Sequence, residues 1–337
     1  MRPFKYTGAN SPSDALKLLI KNPNARFLAG GTNLIDLMKE DVERPDELID
    51  LTRLDSTSFS KISFGVNTAG VSLGATGKNT DAAHHPEIRQ NFPILTKAIL
   101  AGASAQIRNM ATNGGNLLQR TRCSYFYDTA MACNKRSPGS GCAAMEGINR
   151  MHAIFGWSEN CVAVYPSDMA VALSALDARI KVMQADGNVR SIPIHDFHRL
   201  PGDHPEKDNN LNRTELITSI EIPTNKFAAH SAYVKVRDRN SYAFALVSVA
   251  AGLVLEGNKI LSAHIAMGGV AHKPWRALKA EALLKGKIAS TANFTAAAQA
   301  EMTEAKPLSH NKFKVALGRN TIVSALEIAL RGAESPI

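Results

Sequence analysis

The apolar positions of this chain change period along its length, and each change marks an element. Ala15, Leu18 and Leu19 follow a helical spacing behind Ser11-Pro12-Ser13-Asp14. Ser11 suits an N-cap, Pro12 the first helical position, and Asp14 a capping-box carboxylate. A short apolar run at 25–29 leads through Gly30-Gly31-Thr32-Asn33 into a second helical pattern from Leu34 to Lys39, and ELIDLT at 47–52 reads as a strand. These form a compact β-and-α unit over 1–55. A second unit, 56–225, holds the strand VSLGAT at 71–76, a helix capped by Thr80-Asp81 and another from Pro93 to Gly102. Ser167 heads a helix through Leu176, ARIKVMQ and VRSIPI flank Ala-Asp-Gly-Asn as a hairpin, and ELITSIEIP at 215–223 is a strand ended by Pro223. In 226–337, YVKVR, ALVSVAAGLVLEG and KILSAHIAMGG predict three strands, the last two meeting at Gly257-Asn258. Pro274-Trp275-Arg276 is expected to open a helix, and the tail beyond it is largely helical. The fold class is α+β.

The periodicity lapses over 119–161, where Gly, Ser and Pro recur. A loop of that length without structure is uncommon inside a compact domain, so something must hold it. All four cysteines of the chain fall there, Cys123, Cys133, Cys142 and Cys161, spaced C-x9-C-x8-C-x18-C. Four soft ligands in one segment suit a [4Fe–4S] cluster, whose irons each take one thiolate and so tolerate wide spacing. Structural zinc normally uses closer C-x2–4-C pairs. Two disulfides would require an oxidising compartment. Inert thiols are the remaining reading. Between 104 and 161, Arg108, Arg120, Arg122, Lys135, Arg136 and Arg150 outnumber Asp128, Glu146 and Glu159, a balance that would favour an anionic cluster or an acidic partner.

Composition narrows the class only a little. The net charge of +9 leaves nucleic acid, an anionic cofactor and an acidic partner all open. The basic residues are scattered, without the run of five or six that marks a nucleic-acid arm, so nucleic-acid binding is not expected. The N-terminal stretch has no signal-peptide core or twin arginine, and no segment approaches the ~20 apolar residues of a membrane span. A cytoplasmic protein fits, as does one exported on a partner's signal.

Two segments carry candidate binding chemistry. In FLAGGTNL, Phe27 to Leu34, a strand runs through Gly-Gly and a Thr/Asn pair into a helix, an arrangement that leaves backbone N–H groups free for a phosphate. It is not a Walker A loop, since no Gly-Lys-Ser/Thr follows. IRNMATNGGNLL, Ile107 to Leu118, repeats a glycine pair among Asn and Thr. Together the two could grip one extended dinucleotide from two sides.

These motifs, in order with PSDMAVAL and YVKVRDRNSYA, resemble the FAD-binding subunits of the xanthine dehydrogenase/aldehyde oxidase (molybdenum hydroxylase) family, over essentially the whole chain. The cysteine-bearing insertion is similar to that of the bacterial periplasmic aldehyde oxidoreductases, whose flavin subunit carries an additional [4Fe–4S] cluster. The resemblance implies a two-subdomain FAD-binding domain of the vanillyl-alcohol-oxidase (PCMH) type. It also implies a C-terminal α+β domain like that of the CO dehydrogenase flavoprotein. By it, Leu28, Ala29, Gly30, Gly31, Thr32, Asn33 and Leu34 would wrap the FAD pyrophosphate. Ser104, Arg108, Asn109, Thr112, Gly115, Asn116 and Leu117 would form a second flavin-contacting loop. Asp168 would face the adenosine part or the flavin edge, with Leu216 packing nearby, and Lys235 would reach the isoalloxazine. Cys123, Cys133, Cys142 and Cys161 would hold the cluster. The implied partners are a molybdenum-cofactor catalytic subunit and a [2Fe–2S] subunit, in a heterotrimer that passes electrons from aldehyde oxidation to FAD and an external acceptor. No catalytic acid or base is then expected in this chain. A zinc-stabilised binding module without redox activity and a stand-alone flavin oxidase are the alternatives.

Other patterns fail their context. Gly139-Ser140-Gly141-Cys142-Ala143-Ala144 matches G-x-G-x-x-A but follows Asn-Lys-Arg-Ser-Pro instead of a strand. His84-His85 before Pro86 reads as a helix end, and no G-x-S-x-G elbow accompanies the Ser, His and Asp residues. Tyr125 and Tyr127 read as packing around the cysteines. Ser241-Tyr242 stands where many members of the family have an acidic residue, and no nicotinamide fingerprint is present.

Overall fold

A computed structural model describes residues 1–54, 59–65 and 70–332. The expected boundary at 55/56 lies outside the described residues. The N-terminal unit contains β1 (Lys5–Gly8), α1 (Pro12–Lys21), β2 (Ala25–Leu28), α2 (Leu34–Lys39) and β3 (Glu47–Asp50), with the strands parallel in the order β1-β3-β2. The cap is the one the sequence suggests: Ser11 Oγ accepts from Asp14 N at 3.0 Å, and the Asp14 carboxylate accepts from Asn10 N. The buried face of α1 is Ala15, Leu16 and Leu19, with Leu18 only partly covered, so the stripe is rotated by one position from the expected one.

The second unit begins with β4 (Ile62–Phe64) and β5 (Val71–Gly74). Seven helices follow: α3 (Asn79–His84), α4 (Pro86–Asn91), α5 (Pro93–Ala101), α6 (Ala105–Met110), α7 (Asn113–Leu117), α8 (Ser124–Tyr127) and α9 (Asp168–Ala175). It closes with β6 (Arg179–Gln184), β7 (Val189–Pro193), α10 (Ile194–Phe197) and β8 (Glu215–Ile222). The sheet is antiparallel in the order β4-β5-β8-β6-β7. Ser167 caps α9 as expected, accepting from Ala170 N at 3.0 Å. Every residue of α9 is buried, so it is the central element of the largest core cluster. Thr80-Asp81 do not cap α3. The helix starts at Asn79 behind Lys78, and the Thr80 hydroxyl is drawn 29 positions along the chain to Asn109 Oδ1 at 2.5 Å. His84 ends α3 because His85, held extended by Pro86, cannot continue it.

The third unit is a sheet, β9 (Ser231–Val236), β10 (Val247–Glu256), β11 (Lys259–Gly268) and β12 (Trp275–Arg276), with α11 (Leu278–Leu284), α12 (Thr291–Met302) and α13 (Phe313–Arg331). Helices α11 to α13 cover one side, while β9 to β11 also meet α5 and α9 of the second unit. Pro274-Trp275-Arg276 does not open a helix. Trp275 stacks on Phe155 with centroids 4.7 Å apart and donates Nε1–H to Glu301, which holds the backbone extended against β11. Helix α11 starts only after that edge strand.

Residues 119–161 are ordered without being regular. Ile154 and Phe155 donate their N–H groups to Val270 O, and Lys306 N donates to Ile154 O. Lys314, fully buried at the head of α13, donates to the carbonyls of Met151, His152 and Gly269 at 3.0, 3.0 and 2.8 Å. Replacing Lys314 with Met leaves these acceptors without that donor. The expected loss is about 3 kcal/mol, read as a lower melting temperature of the whole chain.

Candidate functional site

A cavity of about 1320 Å³ runs between the two glycine-bearing segments, larger than the usual ~300–1,000 Å³ of a small-molecule site. Leu28 to Leu34 line one wall, and Arg108, Thr112, Gly115, Asn116, Asp168, Leu216 and Lys235 line others. Gly30 packs directly on the second segment, where a Cβ would overlap the Met110 carbonyl. Gly31 adopts φ +71°, so the turn into α2 requires a left-handed residue.

The two segments differ in what they offer. Among the described residues, the backbone N–H groups of Gly30, Gly31, Thr32 and Asn33 have no protein acceptor, although they lie on the cavity wall. Asn33 accepts from Arg120 N at 2.9 Å, and its Nδ2 is buried without a partner. In the second segment the donors are already used: Asn113 N goes to Gly77 O, Gly114 N to Ala75 O, Gly115 N to Thr112 Oγ1 and Asn116 N to Thr112 O. The first segment alone therefore presents a free backbone cradle. The second supplies a wall, stiffened by a chain of buried amides in which Asn79 donates to Asn113, Asn116 to Asn79, and Ser167 to Asn116.

Three of the expected residues do not reach the cavity wall. Ser104 spends its hydroxyl capping α6, Asn109 pairs with Thr80, and Leu117 is buried in the core with its carbonyl accepting from Tyr165 and His198. They shape the loop from behind. Arg108 lines the wall, but its Nη1 donates to Leu100 O and Gly102 O.

Asp168 and Lys235 form one buried unit. Lys235 Nζ donates to Asp168 Oδ2 at 2.8 Å and to Ala101 O at 3.0 Å, and Tyr233 donates to Asp168 Oδ1 at 2.5 Å. The lysine charge is thus offset at the wall, and the pair presents oriented polar groups with little net charge. Burial and the neighbouring carboxylate push the Tyr233 hydroxyl far above its ordinary pKa, so it remains a donor.

The four cysteines are free and drawn toward one another. Cys133 and Cys142 bridge as antiparallel backbone partners, the Cys142 and Cys161 thiols interact, and Cys123 lies within electrostatic reach of Cys133 and Cys142. Backbone N–H groups of Tyr125 and Phe126 point at Cys123, and those of Ala144, Met145 and Val162 at Cys142. Burial pushes the Cys123 thiol up to about 11. The interaction between Cys142 and Cys161 makes the first proton of that pair easier to lose and the second harder. Among the described residues, no three His, Cys, Asp or Glu groups are placed to hold a single metal ion. That does not suit zinc, whose ~2.3 Å bonds need the sulfurs much closer together. Two histidines that the sequence did not single out also meet the cysteines: His152 Nε2 lies 3.1 Å from Cys123 Sγ, and His272 Nε2 lies 3.2 Å from Cys161 Sγ. Tyr127 donates to Asp36, and Tyr125 accepts from Ile148 N.

The cationic excess expected around the cysteines is largely neutralised from outside the segment. Arg120 pairs with Glu43 and Asp208, Lys135 with Asp208, Arg122 with Asp36, and Arg150 with Asp238. Arg136 donates to the carbonyls of Tyr125, Phe126 and Met131. Local charge counting failed because the opposing carboxylates lie far away in sequence. Burial would raise the Asp208 carboxyl, but the charges of Arg120 and Lys135 outweigh it and hold the pKa below the usual range. Asp208 therefore stabilises the fold above its unfolded pKa of ~4, and that contribution is lost as pH falls through the lower folded value. Asp208→Asn leaves two buried cations underpaired and is expected to cost about 3–5 kcal/mol, measured by denaturant unfolding at pH 7.

The fold and cavity suit an extended dinucleotide, and comparison with known proteins gives the family and its flavin. The sequence profile of the FAD binding domain in molybdopterin dehydrogenase matches residues 2–225, and that of the CO dehydrogenase flavoprotein C-terminal domain matches residues 231–329. The chain belongs to the FAD-binding subunits of the molybdenum hydroxylase family, and is an FAD-dependent oxidoreductase subunit. It is 46% identical over 326 residues to the aldehyde oxidoreductase FAD-binding subunit of Escherichia coli, covering 97% of this chain and 98% of that one. It is 31% identical over 284 residues to the glyceraldehyde dehydrogenase medium chain of Sulfolobus acidocaldarius, covering 84% and 82%. The fold matches a carbon monoxide dehydrogenase chain from Hydrogenophaga pseudoflava with a TM-score of 0.76 at 24% identity, covering 98% and 99%. Membership of a flavin family sets aside the zinc-stabilised module without redox activity. No helix among the described residues is long and apolar enough to cross a membrane.

Proposed function

We propose that this chain is the FAD- and [4Fe–4S]-carrying electron-transfer subunit of a molybdenum-containing aldehyde oxidoreductase. One observation carries the reading: four free thiols converge beside a dinucleotide-sized cavity, in a chain 46% identical along nearly its whole length to an aldehyde oxidoreductase FAD-binding subunit. A second cavity, about 500 Å³, is lined by Cys123 and His152 and shares Arg122, Ser167, Asp168 and Phe244 with the first, so the cysteine site abuts the flavin site.

In this reading the free N–H groups of Gly30 to Asn33 and Asn33 Nδ2 take the pyrophosphate oxygens, which supply the acceptors those donors lack. Leu28, Ala29, Leu34 and Leu216 pack against the rest of the molecule. Thr112, Gly115 and Asn116 form the opposite wall, with Ser104, Asn109 and Leu117 behind it. Asp168 and Lys235 orient the flavin end by hydrogen bonds. Cys123, Cys133, Cys142 and Cys161 hold the cluster, and the backbone N–H groups aimed at their sulfurs favour thiolates over thiols. Bound FAD supplies the exchange between two-electron and one-electron chemistry, and a bound cluster supplies a one-electron relay. Aldehyde oxidation belongs to a molybdenum-cofactor partner, a [2Fe–2S] subunit completes the heterotrimer, and an external acceptor receives the electrons. The domains follow as 1–55 and 56–225 for FAD, with the iron–sulfur insertion at 119–161, and 226–337 for the C-terminal domain.

An anaerobic visible and EPR spectrum with FAD, iron and sulfide quantified tests this. Flavin bands over a broad shoulder with about four irons per chain are the expected result. Flavin without iron leaves the family intact and removes the cluster. Flavin reduced by substrate in the isolated chain would favour a stand-alone oxidase instead.

A further inference from the structure

We propose that His152 and His272 are positioning residues of the sulfur site, each donating its Nε2–H to a cysteine sulfur and so raising the one-electron reduction potential of a cluster bound there. The inference rests on the cluster reading above. The geometry comes from opposite sides of the site. His152 belongs to the cysteine-bearing segment and sits 3.1 Å from Cys123 Sγ. His272 follows β11 in the third unit and sits 3.2 Å from Cys161 Sγ, 111 positions away in sequence. Both rings are buried.

The main chain that carries each ring is held in place. The His152 N–H donates to Asn149 O, and its carbonyl accepts from Asn311 Nδ2 at 3.1 Å and Lys314 Nζ at 3.0 Å. His272 is flanked by Ala271, whose carbonyl accepts from Tyr165 N, and by Lys273, whose Nζ donates to His195 O. In both rings Nδ1 is buried with no partner. A hydrogen on Nδ1 would therefore be stranded, while one on Nε2 faces sulfur. A cysteine sulfur bound to iron has lost its proton and can only accept, so iron binding selects the Nε2–H tautomer on both rings. One added electron puts more negative charge on the sulfurs, and a donor held against them stabilises the reduced form more than the oxidised one. Burial strengthens the effect, because no water replaces a missing donor.

The test compares His152→Leu and His272→Leu, which remove the donor, with His152→Gln and His272→Gln, which keep an amide N–H. Full-length chains are purified anaerobically, FAD, iron and sulfide are quantified, and the cluster EPR signal is titrated against potential. The leucine variants are expected to keep wild-type FAD and iron. Each is expected to reduce about tenfold less readily, a negative shift of about 59 mV for one electron, with the glutamine variants closer to wild type. Iron retained with unshifted potentials in both leucine variants overturns this inference and leaves the cluster reading standing. If the leucine variants lose iron, the glutamine variants decide: iron kept at the wild-type potential supports the donors, and iron lost there too overturns them. A wild-type chain with flavin and no iron would overturn the cluster reading and this inference together.

Discussion

Replacing Gly30 with valine is expected to lower FAD content at least tenfold while the chain still folds. A Cβ at this position has nowhere to go, because it would overlap the Met110 carbonyl, which is backbone and cannot rotate aside. The first segment must then move off the second, and both the spacing of the cavity walls and the aim of the N–H groups of Gly30 to Asn33 are lost. A small displacement suffices, since charge-assisted hydrogen bonds weaken quickly with distance and angle. Gly30 belongs to none of the buried apolar clusters, so the core is expected to survive. Gly31→Val acts differently. Valine at φ +71° carries backbone strain of order 1–3 kcal/mol, and its Cβ would come within 3.1 Å of Ile35 and 3.3 Å of Leu28. The ratio of flavin absorbance to protein absorbance after purification measures both. Full flavin content in Gly30→Val would remove the cradle assignment.

Cys142→Ala is expected to abolish the cluster EPR signal and leave FAD bound. Cys142 is the hub of the four sulfurs: it bridges Cys133 by backbone pairing, interacts with the Cys161 thiol and lies within electrostatic reach of Cys123. The flavin cradle is built from a different segment, held to the cysteine segment through Arg120 and Asn33, so FAD should survive the loss. Iron and sulfide analysis beside a flavin assay separates the two outcomes. A variant with full iron would exclude Cys142 as a ligand, and a variant that loses both cofactors would show that the two sites fold as one.

Much of the architecture was legible because it is local. The Ser11 and Ser167 caps, the hairpin of β6 and β7 and the three long strands of the C-terminal unit each follow from residues a few positions apart. The errors share a cause. Trp275 was drawn into a strand by Phe155 and Glu301, Thr80 was taken from its cap by Asn109, and the cations near the cysteines were neutralised by Asp36, Glu43, Asp208 and Asp238. Each deciding partner lies outside the window in which periodicity or charge balance is counted.

The candidate site divides in the same way. The amino-acid order alone determined that two glycine-bearing turns and four cysteines in one irregular segment would exist, because turn geometry and ligand chemistry require those residue types, whereas Asp168 and Lys235 were marked only by the family resemblance. Only the tertiary structure decided how they act. It left the N–H groups of the first turn free while those of the second were consumed, offset Lys235 with Asp168, and brought His152 and His272 to sulfurs 29 and 111 positions away. Backbone conformation is set by near neighbours, whereas hydrogen-bond partners and charge compensation are set by what the folded chain brings into contact.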